Sequence, residues 1–186
     1  MIPAYGASVK RQRKTTGELF LMKKKIALVT GASGGIGGAC AELLAQEGYT
    51  VLVHGCHGID NAKALADRLC AQGYDAHAVC CDLADSESAQ RMCREILALY
   101  HHVDALALCA GVSHTGLFCD MTDEDWRTVM DVNVSGAFYL IRALAPGMIS
   151  RGEGSIVTIS SMWGRVGASC EVAYSARKAA LIGLTR

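Results

Sequence analysis

The run Thr30-Gly31-Ala32-Ser33-Gly34-Gly35-Ile36-Gly37 limits this chain more than any other feature. It directly follows Ile26-Ala27-Leu28-Val29, an apolar run that reads as a buried parallel strand. It leads into Gly38–Glu47, whose apolar spacing is helical and which stops at Gly48, a suitable residue just past a helix end. Strand, glycine turn and helix in immediate succession are the context that turns a glycine pattern into a nucleotide site. Missing side chains let backbone approach a pyrophosphate, and the helix N-terminus offers aligned N–H groups and partial positive charge. The competing reading is a glycine-rich turn with no ligand.

The rest of the chain continues the alternation. Thr50–His54 reads as a second strand, Asp60–Ala71 as a helix ending near Gly73, and Ala76–Cys81 as a third strand closed by Asp82. Asp85 can cap a helix over Ser86–Tyr100. Asp104–Cys109 is a fourth strand, closed by Ala110-Gly111. Thr122-Asp123-Glu124-Asp125 resembles a capping box with Asp in the Glu position, opening a long helix from about Asp123 to Ser150 with Pro146 near its end. Gly154–Ser160 is a fifth strand, and a loop containing Trp163 leads to the helix carrying Tyr174 and Lys178. The pattern predicts an α/β fold, a three-layer doubly wound parallel sheet of Rossmann type. Ligands then bind at the carboxyl ends of the strands, where Gly31, Asp82, Gly111 and Ser161 all fall.

A chain of 186 residues, 51% hydrophobic and 19% charged, suits one domain with a substantial core. The formal net charge of zero gives no electrostatic case for a nucleic-acid partner. No apolar run reads as long enough to span a bilayer, so no membrane partner is expected. The nine cysteines form no C-x-x-C pair, which points to a reducing cytoplasm and no structural metal. Lys10, Arg11, Arg13 and Lys14 make residues 1–22 unlike the rest. They read as a disordered tail, or as the product of a start site upstream of Met22, with the dinucleotide-binding domain covering 23–186.

Tyr174 and Lys178 are four residues apart and share a helix face. An ammonium beside a phenol favours the phenolate, so the pair can exchange a proton as a carbonyl/alcohol interconversion requires. Ser161 lies thirteen residues upstream of Tyr174.

With these residues in place, the chain resembles the classical short-chain dehydrogenases/reductases from about Lys23 onward. The matching elements are Thr30-Gly31-x-x-x-Gly35-Ile36-Gly37, Asp82-Leu83, Ala110-Gly111, Asn133, Ser161, Tyr174 and Lys178. The general likeness is to 3-oxoacyl-[acyl-carrier-protein] reductases, and Ser161–Ser175 looks like the elongation factor P 5-aminopentanone reductases of bacteria. The resemblance implies that Tyr174 is the general acid, that Lys178 supports it and holds the nicotinamide ribose, and that Ser161 orients the substrate oxygen. Asn133 would position a water leading from Lys178 to solvent. Gly31, Ser33, Gly35, Ile36, Gly37, Asp82, Leu83, Ala110 and Gly111 would bind cofactor with Tyr174 and Lys178, Asp82 at the adenine amino group. It also implies a small-molecule or protein-attached ketone as substrate and a homo-oligomer, dimer or tetramer.

Against the family pattern, Leu108-Cys109 replaces two asparagines before Ala110-Gly111, and Gly34 stands where many NADP-using members carry arginine. The family also continues beyond the position of Arg186, so the chain is expected to be C-terminally incomplete and, in the competing reading, a catalytically silent nucleotide-binding protein. A third reading is a sugar- or steroid-type dehydrogenase with the same catalytic set. No carboxylate follows the second strand, where His54-Gly55-Cys56-His57-Gly58 stands, so NADP(H) is expected over NAD(H), with His54 or His57 as candidate donors to a 2′-phosphate and, each taken singly, as solvent-exposed loop residues. Glu171 either meets the N-terminal dipole of its helix or pairs with a substrate amine, with Trp163 as core or as a wall of the same pocket.

Overall fold

The structure, a computed structural model, describes residues 24–186; the expected tail, 1–22, lies outside the described residues. The elements run β1 (Ile26–Thr30), α1 (Gly35–Gln46), β2 (Thr50–His54), α2 (Ile59–Ala71), β3 (Ala76–Val79), α3 (Ser86–Tyr100) and β4 (Ala105–Leu108). A short 3₁₀ turn at Phe118–Asp120 precedes α4 (Asp123–Met130), a π-helical segment (Asp131–Ser135) and α5 (Gly136–Arg151). Then come β5 (Ser155–Thr158), α6 (Trp163–Val166) and α7 (Val172–Leu184). The five strands form one sheet in the order β3-β2-β1-β4-β5, every neighbouring pair parallel. The order reverses between β1 and β4, which opens a crevice beyond their carboxyl ends.

Alternation along the central strands builds the layers. Leu28, Leu52 and Leu106 face one side with Met92, Ile96, Leu140, Leu144 and Leu181 from the helices there. Val29, Val51, Val53 and Ala107 face the other, against Ala41, Ala45, Leu65 and Leu69 of α1 and α2. β1 is buried at every position, as a strand covered on both faces requires.

Several boundaries differ from those read in the sequence. α1 begins at Gly35 rather than Gly38, because the glycines close its first turn. β3 ends at Val79 and β5 spans only Ser155–Thr158, so their flanking residues are free to shape loops. Trp163 lies in the short helix α6, not in a loop. Asp85 caps α3 as expected, accepting from the N–H groups of Glu87 and Ser88. Thr122 and Asp125 form the full capping box of α4.

The expected single helix over Asp123–Ser150 is broken in its middle. Asn133 Nδ2 donates to the carbonyl of Val129, the group its own backbone N–H would bond in a regular helix. The ladder then widens, and Gly136 N–H reaches Asp131 O. Against expectation, the combined stretch Asp123–Arg151 is long and apolar enough to cross a bilayer by length and composition alone. Its face nearest the sheet, Ala137, Leu140, Leu144 and Met148, is instead part of the protein core.

Candidate active site

The glycine turn is held by its neighbours on both sides. Gly31 takes φ +62°, and a Cβ there would lie 2.5 Å from the Cα of Ala110. Ala110 N–H donates to Thr30 Oγ1 over 3.1 Å, which locks the loop after β4 against the end of β1. Gly31 N–H donates to His54 Nδ1 over 3.3 Å, which ties the turn to the end of β2. A Cβ on Gly37 would meet Gly31 O at 2.4 Å, so the first turn of α1 sits directly against the glycine loop. No side chain caps α1 and no acid occupies its first turn, which leaves that N-terminus available to an anion.

Gly31, Ser33, Asp82, Leu83, Ala110 and Gly111 line one cavity of about 240 Å³, together with Gly55, Cys56 and His57. Gly35 lines a neighbouring cavity on the outer side of the turn, Ile36 is exposed, and Gly37 is buried. Asp82 Oδ1 already accepts from Ala84 N–H, at 2.9 Å. His54, one of the two candidate donors to a 2′-phosphate, is neither such a donor nor a solvent-exposed loop residue. His54 is 2% exposed, and its Nε2 lies 3.1 Å from Cys81 O. With Nδ1 accepting from Gly31, Nε2 must donate, so the ring is a neutral structural link, and burial lowers its pKa further. His57 stays exposed at the cavity edge.

α7 brings Tyr174 and Lys178 to one face, with Lys178 Nζ 5.7 Å from the centroid of the Tyr174 ring. The ammonium donates to the carbonyl of Ile159, and Ser160 Oγ donates to Lys178 O at 2.8 Å, so the helix is fastened to the end of β5. Burial, then the charge of Arg177, lowers the Lys178 pKa to about 8; the Cys109 thiol opposes this. Ser161 stands at the mouth of the same strand, its Oγ accepting from Trp163 N–H at 3.3 Å. Gly164 lets α6 pack on α7, since a Cβ there would meet the Lys178 carbonyl carbon at 2.6 Å.

Asn133 is almost fully buried, and its side chain is committed to protein. Nδ2 donates to Val112 O at 2.9 Å as well as to Val129 O. Oδ1 accepts from Val112 N–H at 3.0 Å and from Arg177. The amide therefore holds the loop after β4 and makes no bond to Lys178. Arg177, which the sequence reading passed over, completes this network. Its guanidinium carbon lies 4.3 Å from the Tyr174 ring centroid, and a Cβ on Gly111 would meet its Nη1 at 2.6 Å. The i,i+3 spacing from Tyr174 to Arg177 was the available signal.

Trp163 and Glu171 do not share a cavity. Trp163 lines an apolar one of about 380 Å³ with Val172, Ala176 and Ala179, a lining that includes neither Glu171 nor Tyr174. Glu171 is the N-cap residue of α7, yet its side chain makes no capping bond. Its carboxylate is one of the charges acting on Arg177.

Comparison with known proteins agrees with this geometry. The family model described as short chain dehydrogenase matches residues 25–186. A 3-oxoacyl-[acyl-carrier-protein] reductase of Staphylococcus aureus is 36% identical over 162 residues, covering 87% of this chain and 66% of that protein. The chain thus spans about two thirds of that relative's length, 66%. A metagenomic short-chain oxidoreductase solved in complex with NADP superposes with a TM-score of 0.83 at 34% identity, covering 86% of this chain and 72% of that one. A gluconate 5-dehydrogenase from Burkholderia cenocepacia, solved with NADP and tartrate, gives 0.81 at 30% identity over 87% of this chain and 63% of that one.

Proposed function

Because this chain belongs to the short-chain dehydrogenase/reductase family, we propose that it is an NADPH-dependent carbonyl reductase. The observation that carries the reading is that one face of α7 brings Tyr174 and Lys178 together, with Arg177 linking Tyr174 to Gly111 in the wall of the glycine-turn cavity.

The residues present fit a dinucleotide. The Gly31 turn admits backbone close approach, and the uncapped start of α1 suits a pyrophosphate. Asp82 keeps Oδ2 free to accept from an adenine amino group, with Leu83, Ala110 and Gly111 around it. Bound NADPH supplies the hydride. The chain's own residues do the rest. Tyr174 gives its proton to the substrate oxygen, Ser161 orients that oxygen, and Lys178 holds positive charge beside the phenol and would hold the ribose when the cofactor binds. The Asn133 side chain acts as an anchor for Val112, so a water leading from Lys178 would be held by the Asn133 main-chain carbonyl rather than by the amide.

NADPH over NADH is supported by the absence of a carboxylate after β2 and by exposed His57 at the cavity edge. The NADP in the related solved structures points the same way. For substrate, the Staphylococcus aureus relative favours a 3-oxoacyl thioester. The finer reading is the ketone on a modified lysine of elongation factor P, with the unbonded Glu171 carboxylate meeting the substrate amine. A sugar-acid dehydrogenase is the second reading, favoured by the gluconate 5-dehydrogenase likeness. In each case we propose a homo-oligomer as the working form.

The test is NADPH oxidation by the complete protein with an acetoacetyl thioester, an aminoketone and 5-ketogluconate. Tyr174→Phe should abolish turnover while leaving NADPH binding intact. Full activity in that variant would refute the assignment. Relative rates on the three ketones choose among the substrate readings. For Glu171→Gln, an unchanged KM ratio between aminoketone and neutral ketone would remove Glu171 from substrate recognition.

A further inference from the structure

Arg177 sits between the two residues of the proposed proton-transfer pair in sequence, yet it is 4% exposed. A long cationic side chain on a helix ordinarily carries its head to water. Here the guanidinium turns inward. Nη1 donates to Asn133 Oδ1, the guanidinium lies over the Tyr174 ring, and Nε is buried without a partner. No carboxylate is bonded to it, and burial pushes its pKa down. Holding a half-satisfied guanidinium out of water is unfavourable in itself, so what it fixes in place matters.

We propose that Arg177 is a positioning residue, which holds the Tyr174 ring in register with Asn133 and, through Asn133, with the loop Ala110–Val112. α7 packs against α4 and the π segment, and the Arg177–Asn133 bond crosses that junction. Asn133 bonds both the N–H and the carbonyl of Val112, so whatever fixes its amide fixes that loop. A guanidinium over the ring face holds Tyr174 without engaging its hydroxyl. A lysine in place of Arg177 cannot do both, because its ammonium has neither the planar face nor the forked donors. The role goes beyond the reductase reading but rests on it for its catalytic meaning.

A second consequence follows from charge. Arg177 is, after burial, the main reason that Lys178 binds its proton weakly. The other ionisable groups bearing on this pair are Tyr174 and Glu171 on the same helix and Cys109 at the end of β4. The π segment contributes the uncharged Asn133, and the end of β5 contributes the Ile159 carbonyl and Ser160.

Three variants test the assignment: Arg177→Met, Arg177→Lys and, should Met unfold the domain, Arg177→Gln. Two readouts use the ligand-free protein, namely NMR titration of labelled lysine with Lys178 assigned from Lys178→Gln, and the ring resonances of Tyr174. The third is the pH profile of NADPH turnover in the complete protein. For Met or Gln we expect the Lys178 titration to move up, the Tyr174 ring signals to shift and broaden, and kcat to fall on the order of tenfold to a hundredfold. Arg177→Lys should restore the Lys178 titration but neither the ring signals nor kcat. Parent-like ring signals in Met or Gln, or restoration of ring signals and kcat by Lys, would overturn the proposal. A parent protein that reduces no ketone would sink the reductase reading, while the ligand-free measurements would still decide the place of Arg177.

Discussion

Gly31 and Ala110 are in backbone contact: a Cβ on the glycine would lie 2.5 Å from the Cα of the alanine. The first residue of the glycine turn and the loop after β4 therefore cannot move independently, and the crevice has a fixed floor.

Gly31→Ala meets two penalties. The residue takes φ +62°, which costs an L-residue about 1–2 kcal/mol, and the clash with Ala110 adds to that. The urea midpoint should fall, and the stabilisation that NADPH confers on the parent should vanish. A variant of parental stability that still responds to NADPH would show the contact to be slack.

Thr30→Val keeps shape and removes one hydroxyl. That oxygen accepts from Ala110 N–H at 3.1 Å, and Thr30 is 1% exposed. An unpartnered N–H there should destabilise by about 1–3 kcal/mol, read from chemical denaturation. A change within error would mean that water or another group takes over the N–H.

Asn133→Ala breaks four bonds at once, two to Val112 and one each to Val129 and Arg177. We expect a loss on the order of 3 kcal/mol, since buried donors and acceptors lose their partners. Amide exchange should speed up at Val112 first. Uniform acceleration across α4 and α5 without a local effect at Val112 would contradict the anchoring role.

Lys178 gives stability a pH dependence of definite sign. Its pKa in the fold, about 8, lies below the ordinary 10.5. Between these values the unfolded chain retains a proton that the folded chain has released, so stability rises with pH across that window. Below about 8 both states are protonated and the contribution is flat. Urea midpoints of the parent should climb relative to Lys178→Met from pH 8 to 10.5. An opposite slope would mean that the ammonium is stabilised, not disfavoured, by its surroundings.

The sequence was most readable where one local signal suffices. Thr50–His54 and Ser86–Tyr100 match their expected bounds, because an apolar run and a capping aspartate speak for themselves. The doubly wound order followed from strands alternating with helices. Residues whose roles depend on distant partners were harder. His54 reads as a loop-end donor until Gly31 and Cys81 are brought to its two nitrogens. Arg177 carries no signal of its own until Asn133, 44 positions away, is folded against it. The break at Asp131–Ser135 depends on a side chain taking a backbone acceptor, which no periodicity reveals.

That wide turn also sets a phase. Each residue turns a helix by about 100°, so one extra residue in a single turn rotates all of α5 relative to α4. The stripe Ala137, Leu140, Leu144 and Met148 meets the sheet only because of that rotation. Deleting one residue between Asp131 and Ser135 would straighten the rod and perfect its ladder, yet it would aim the wrong side of α5 inward. The aim of the Asn133 amide and the seating of the helix behind it are geared together, and neither can be re-engineered alone.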